Sequence, residues 1–171
     1  VGLVPLLAVE PVKEQVLQDL PRFRERCEWY QNNRPEVMRM ITCEQSAADQ
    51  CQADSDMRLM ALPSRERLES ILQYLVDPDE FLSDYGIRSV SKWYEDNPYG
   101  CHIPAVDEPI RYQPAESRSH MFGGNSNWRG PIWFPINYLL IEALERYHHY
   151  YGDRLQIEYP NGSGETVTLD E

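Results

Sequence analysis

Apolar residues recur with a helical period along much of the chain. Phe23, Cys27 and Tyr30 fall at i, i+4, i+7 behind Pro21, which suits a first helical position, and predict a helix over about 21–32. Leu68, Ile71, Leu72 and Leu75 repeat at i, i+3, i+4, i+7 behind Ser64, a good N-cap. Asp77-Pro78 stops that pattern, so a second helix is expected over about 64–77. Trp133, Ile136, Leu140, Leu144 and Tyr147 mark the buried face of the clearest helix, about 131–151, with Pro131 or Pro135 in its first turn and Gly152 as its stop. Residues 2–10 read as a fully buried helical segment that Pro11 interrupts. At the other end, Leu155, Ile157 and Tyr159 alternate, as do Val167 and Leu169. They flank Pro160-Asn161-Gly162-Ser163-Gly164 and predict a β-hairpin over about 154–169. Residues 38–62 lack a clean period and read as loop, and residues 79–130 are mostly loop by pattern. A structureless stretch that long inside a compact domain is either functional or wrapped over other structure.

These elements predict a mainly α chain. Its 171 residues, 42% hydrophobic and 26% charged, suit one globular domain, with no internal repeat and no low-complexity tract. The net charge of −12 disfavours nucleic acid and anionic membranes as partners. The longest apolar run, Val1 to Val9, is too short to span a bilayer, and neither a basic n-region nor an initiator Met marks a signal peptide. The expected location is therefore cytoplasmic, and the apolar start suggests a chain that begins inside a larger structure. Cys27, Cys43, Cys51 and Cys101 form no C-x-x-C and have no histidine at zinc-finger spacing, so neither metal nor cofactor is expected. Size and spacing favour free cysteines over a Cys43–Cys51 bridge. His148 and His149 project about 100° apart on a helix and cannot easily share a metal; His102 and His120 lie in the long loop. Asn161-Gly162-Ser163 is a glycosylation sequon that also reads as a tight turn.

The stretch 122–137 carries the most chemistry: Phe-Gly-Gly-Asn-Ser-Asn-Trp-Arg-Gly-Pro-Ile-Trp-Phe-Pro-Ile-Asn. Glycines admit close approach of a ligand to the backbone. The indoles of Trp128 and Trp133 offer flat apolar faces with one donor each, and Arg129 offers a planar fork. Asn125, Asn127 and Asn137 each supply a donor and an acceptor. A sugar ring, apolar on its C–H faces and polar at its rim, fits that set. A packed helix start, with Arg129 paired to an acidic neighbour, would use the same residues.

Trp128-Arg129-Gly130-Pro131-Ile132-Trp133, followed by Asn137-Tyr138-Leu139, resembles the signature of glycoside hydrolase family 63 and its close relatives, which include processing α-glucosidases and mannosylglycerate hydrolases. Tyr85-Gly86-Ile87-Arg88-Ser89-Val90-Ser91 is similar to the loop that precedes this signature in bacterial members, and Phe122 to Asn127 to the lead-in of a bacterial subgroup. The resemblance implies part of an (α/α)6 barrel or toroid with long loops, and inverting hydrolysis of an α-linked glucoside or mannoside. It also implies Trp128, Arg129, Trp133, Asn137, Asn127 and Arg88 as substrate-binding residues. Arg88 would either orient its loop or reach substrate. Inversion needs an acid and a base about 6.5–9.5 Å apart. The family's aspartic acid and glutamate base fall before and after the region present here, which leaves Glu116 and Glu158 as in-chain carboxylates to weigh. Twelve helices do not fit this length, so the chain is expected to be the C-terminal part of the catalytic domain, inactive alone. The expected partners are an oligosaccharide or small glycoside, and either the remainder of the barrel or a second copy to cover exposed apolar faces. A non-catalytic carbohydrate-binding domain and a structural interaction domain are the competing readings.

Overall fold

The computed structural model describes residues 2–35, 42–45, 57–100, 108–116, 118 and 130–171. The helices are α1 (Glu14–Asp19), α2 (Pro21–Asn33), α3 (Arg65–Leu75) and α4 (Phe134–Tyr151). The strands are β1 (Val9–Lys13), β2 (Thr42–Gln45), β3 (Met57–Ala61), β4 (Leu82–Ser83), β5 (Gly86–Ile87), β6 (Ile157–Glu158) and β7 (Thr166–Val167). Helices with small antiparallel sheets make up the architecture. The chain divides into two compact units: Val1–Ile71 with Leu140–Ile157 and Thr166–Glu171, and Leu72–Leu139 with Glu158–Glu165.

The first unit holds a three-stranded antiparallel sheet of order β1-β3-β2. Val9 pairs with Ala61 and Lys13 with Met57 on one side of β3; Thr42 pairs with Ala61 and Gln45 with Arg58 on the other. Central β3 buries Met57, Leu59 and Ala61 in strict alternation. The sheet overturns the expected helix over 2–10. Only a 3-10 turn, Val4–Leu7, forms there, and the chain then extends into β1. Pro11 has no N–H for a helix, but it is tolerated on an edge strand, where β1 lies. The sheet also replaces part of the expected loop over 38–62; the remainder of that stretch lies outside the described residues. Arg58 clamps the start of α1 to β3 through Glu14, with Nε to Oε2 at 2.8 Å and Nη2 to Oε1 at 3.4 Å.

Helix α2 forms with Pro21 in its first turn but buries no side chain: Phe23 and Tyr30 are 42% and 40% exposed. A helical period fixes which residues share a face, and burial needs a further surface against that face. The last turn of α4 is held by arginine. Arg154 donates from Nε to the Tyr151 carbonyl at 3.0 Å and from Nη2 to the Tyr150 carbonyl at 2.6 Å, while Arg65 donates to the Arg154 carbonyl at 2.8 Å. Both guanidiniums lie over tyrosine rings, Arg65 over Tyr151 and Arg154 over Tyr150. Cations suit the negative end of a helix, and Gly152, at φ +52°, turns the chain out of it. His148 Nδ1 lies 3.3 Å from the Asp170 carboxylate, while His149 is exposed.

In the second unit, the end of α3 buries Leu72 and Leu75, and Val76 just after it is buried too. The expected turn over 160–164 docks on the residues that follow. Asn161 donates its backbone N–H to the Val76 carbonyl at 3.1 Å and its amide to Asp77 at 3.0 Å. The side chain of the sequon asparagine is thus engaged within the fold. Strands β4 and β5 make a tight hairpin, Leu82 against Ile87 and Ser83 against Gly86. Gly86 sits at φ +125°, and a Cβ there would come 2.8 Å from Asn137 Oδ1. At Gly130, φ +62°, a Cβ would meet nothing closer than 3.8 Å.

Two outcomes are expected. Gly86→Ala adds a clash to backbone strain and destabilises by about 2–3 kcal/mol, whereas Gly130→Ala costs about 1 kcal/mol; urea unfolding of both variants checks the order. Tyr147 on α4 is fully buried, and its hydroxyl has no partner among the described residues. Burial pushes its phenol above the ordinary range. The folded state therefore loses stability as pH rises above about 10, where the unfolded phenol ionises and the folded one does not. Tyr147→Phe should stabilise the fold by about 1 kcal/mol near neutral pH and reduce the alkaline decline. Unfolding midpoints at neutral and alkaline pH test this, and a destabilised variant refutes it.

Candidate functional site

The chain from 77 to 95 is a long irregular segment whose backbone must find partners without regular structure. Arg88 supplies three of them. Its Nη1 donates to the carbonyls of Pro78 at 2.9 Å, Glu80 at 3.2 Å and Leu82. The guanidinium lies 5.5 Å from the centre of the Tyr112 ring, and its buried Nε has no partner among the described residues. Glu80 adds a second centre: its carboxylate accepts from buried Ser91 Oγ, and its carbonyl accepts from Lys92 N–H at 2.9 Å. Ser91 Oγ in turn accepts from Trp93 N–H at 3.1 Å and caps a 3-10 turn, Lys92–Glu95. Lys92 bonds Asp79 at 2.9 Å, and that bond and charge hold the exposed Asp79 carboxyl below its ordinary range. The hairpin tip is fixed by Ser83 Oγ, which donates to the Gly86 carbonyl at 2.6 Å and accepts from Tyr85 N–H at 3.3 Å. Tyr85 stands 86% exposed on this tip.

The same segment is bonded residue by residue to the start of α4. Ile87 N–H donates to Asn137 Oδ1 at 2.7 Å, and Asn137 Nδ2 donates back to the Ile87 carbonyl at 3.0 Å. Arg88 and Ile132 form an antiparallel bridge. Ser89 N–H donates to the Pro131 carbonyl at 2.8 Å. This pairing explains why α4 begins at Phe134 rather than at Pro131: Ile132 is extended to pair with Arg88, so helical dihedrals start only after Trp133. The Trp133 carbonyl then accepts from Ile136 N–H, Asn137 N–H and Asn137 Nδ2, each at 3.1 Å.

Of the residues expected to bind substrate, Arg88, Trp133 and Asn137 are thus joined in one bonded assembly, and Trp133 is half-buried. Trp128, Arg129, Asn127 and Asn125 lie outside the described residues, as do His102, His120, Cys51 and Cys101. Glu116 is exposed in its loop. Glu158 lies in β6 and its carboxylate accepts from Gly164 N–H, which closes the turn. Among the described residues, no group of three His, Cys, Asp or Glu is placed to hold a metal, and no helix is long and apolar enough to cross a membrane. Sequence reading placed Gly86 and Ser91 in the motif loop without a role, and missed Glu80 and Tyr112. The glycine alone had a local signal, its place in a tight turn; the other three depend on partners that spacing does not reveal.

The chain is 43% identical over all 171 residues to the Saccharomyces cerevisiae (strain ATCC 204508 / S288c) protein YMR196W, described as uncharacterized, and spans 15% of it. It is 30% identical over 83 residues, 48% of this chain and 7% of the relative, to mannosyl-oligosaccharide glucosidase of the same yeast. It is 33% identical over 69 residues, 40% of this chain and 12% of the relative, to mannosylglycerate hydrolase MGH1 of Selaginella moellendorffii. The chain therefore covers a small share of each relative's length. No solved structure matches it. The sequence model of the glycosyl hydrolase family 63 C-terminal domain matches residues 56–159, a span that contains both the Tyr85–Ser91 loop and the helix start bonded to it. By that match the chain belongs to glycosyl hydrolase family 63.

Proposed function

We propose that these residues form one wall of the substrate pocket of an inverting glycoside hydrolase that acts on an α-linked glucoside or mannoside. Trp128 and Trp133 give the apolar faces on which a sugar ring stacks. Arg129 and Asn127 give donors for its hydroxyls, and Arg88 and Asn137 support them from behind. The observation that carries this reading is the bonding of the Tyr85–Ser91 loop to the start of α4: the two stretches that resemble the family's signature are one physical assembly. The catalytic acid and base come from outside these 171 residues, and the surrounding architecture is the (α/α)6 barrel. Phe134, Tyr138 and Ile141, at i, i+4, i+7 on α4 and 77%, 59% and 57% exposed, support packing against further chain or a second copy.

A second reading, a carbohydrate-binding domain without hydrolysis, is equally compatible with one observation. Glu158 is bonded into a turn and Glu116 is exposed, so neither is presented as half of a catalytic pair. The two readings diverge in an assay. The intact protein carrying these residues should hydrolyse α-glucosides or α-mannosides with inversion, seen as the first-formed anomer by NMR, and residues 1–171 alone should not turn them over. Trp133→Ala should lower kcat/KM of the intact protein by about tenfold or more, because a stacking face is lost. Trp128→Ala should abolish the saccharide-induced change in tryptophan fluorescence. Binding without turnover by the intact protein selects the second reading, and no binding at all removes both.

A further inference from the structure

We infer that Asn137 is a positioning residue that sets the sugar-binding wall without touching the sugar; this rests on the pocket reading above. A carboxamide has two donor hydrogens and two acceptor lone pairs. Here both donors are spent inside the protein, on the Ile87 carbonyl at 3.0 Å and the Trp133 carbonyl at 3.1 Å. The oxygen accepts the Ile87 N–H at 2.7 Å and abuts Gly86 so closely that a Cβ there would lie 2.8 Å from it. A ligand hydroxyl has no free donor to meet, and the oxygen is already engaged by the Ile87 N–H beside the Gly86 backbone. What remains is a mechanical role. Exchange of one N–H···O bond in each direction with Ile87 is how a neighbouring strand would pair with β5. Asn137 thus serves as a one-residue strand for the hairpin while it also holds the carbonyl of Trp133. Gly86 completes the fit, since any larger residue would push the carboxamide away.

The consequence is that Asn137, beside the Arg88–Ile132 bridge and the Ser89–Pro131 bond, sets how the hairpin meets the Trp133 backbone, and a misplacement of about 1 Å in a binding wall can cost as much as about a hundredfold in rate. In the intact protein, Asn137→Ala should speed amide hydrogen exchange across residues 82–91 at least about tenfold, because the Ile87 N–H loses its acceptor. Exchange over 141–150 should not change. At a temperature where the variant is fully folded by circular dichroism, kcat/KM should fall about ten- to a hundredfold. Asn137→Asp keeps the acceptor but sets a carboxylate oxygen against the Ile87 and Trp133 carbonyls, so it should lose at least as much as alanine. Should the alanine variant prove unfolded, Gly86→Ala, whose Cβ pushes on the Asn137 carboxamide, carries the same two readouts. Faster exchange with unchanged kcat/KM would overturn the inference and leave Asn137 a stabilising residue only. Unchanged exchange would overturn the tie itself. If the wild-type protein shows neither turnover nor saccharide binding, the pocket reading fails instead; the exchange result then upholds or overturns the tie on its own.

Discussion

A side-chain amide can present the same pair of hydrogen-bonding groups as a peptide, and at Asn137 that equivalence joins segments 50 residues apart. The segment from Pro78 to Ser91 has only two short strands of regular structure, and its backbone groups need partners wherever burial removes water. Arg88 answers the carbonyls on one side, and the start of α4 answers the N–H groups of Ile87 and Ser89 on the other. Remove the tie to Asn137 and Ile87 is left with an unpaired N–H and carbonyl in a half-buried place, where each lost partner costs about 1–3 kcal/mol. The local stability of this region therefore rests on polar geometry more than on apolar burial. It differs in this from the first unit, where Leu6, Leu59, Leu68 and Tyr147 are essentially inaccessible to water.

The helices were the most legible part of the chain because a 3.6-residue period is a local signal. Leu68, Leu72 and Leu75 announced α3, and Leu140 and Tyr147 announced α4, to within a few residues at each end. The strands were less legible for an equally physical reason. Val9 belongs to β1 because it meets Ala61, 52 positions away, and nothing within residues 2–13 encodes that partner. The same applies at the site. The motif residues Arg88, Trp133 and Asn137 could be named from their types and order, but not what they do to one another. Arg88 turned out to serve three carbonyls, and the start of α4 is delayed by a bridge between Ile132 and a residue 44 positions earlier. Trp128 and Arg129 lie outside the described residues, and their proposed part in a wall rests on sequence.

Preorganisation is the chemical theme of the Tyr85–Ser91 loop. Saccharides are flexible, strongly hydrated ligands, and a wall that is already ordered avoids losing its own freedom when one binds. Each fixed point in the loop has an identified cause: Ser83 at the hairpin tip, Gly86 at the left-handed turn, Glu80 behind Ser91, and Asn137 behind Ile87. Under the proposed function this rigidity has a use, since a binding wall must hold a ring still while a glycosidic bond is cleaved.

The exposed apolar surface of Phe134, Tyr138 and Ile141 also bears on how the chain behaves at high concentration. With a net charge of −12, two copies repel at low ionic strength, and the repulsion holds their oily surfaces apart. At about 0.15 M salt the screening length is only about 8 Å, shorter than the approach over which that repulsion must act. Added salt weakens that repulsion, so any self-association of residues 1–171 through these side chains should rise with ionic strength.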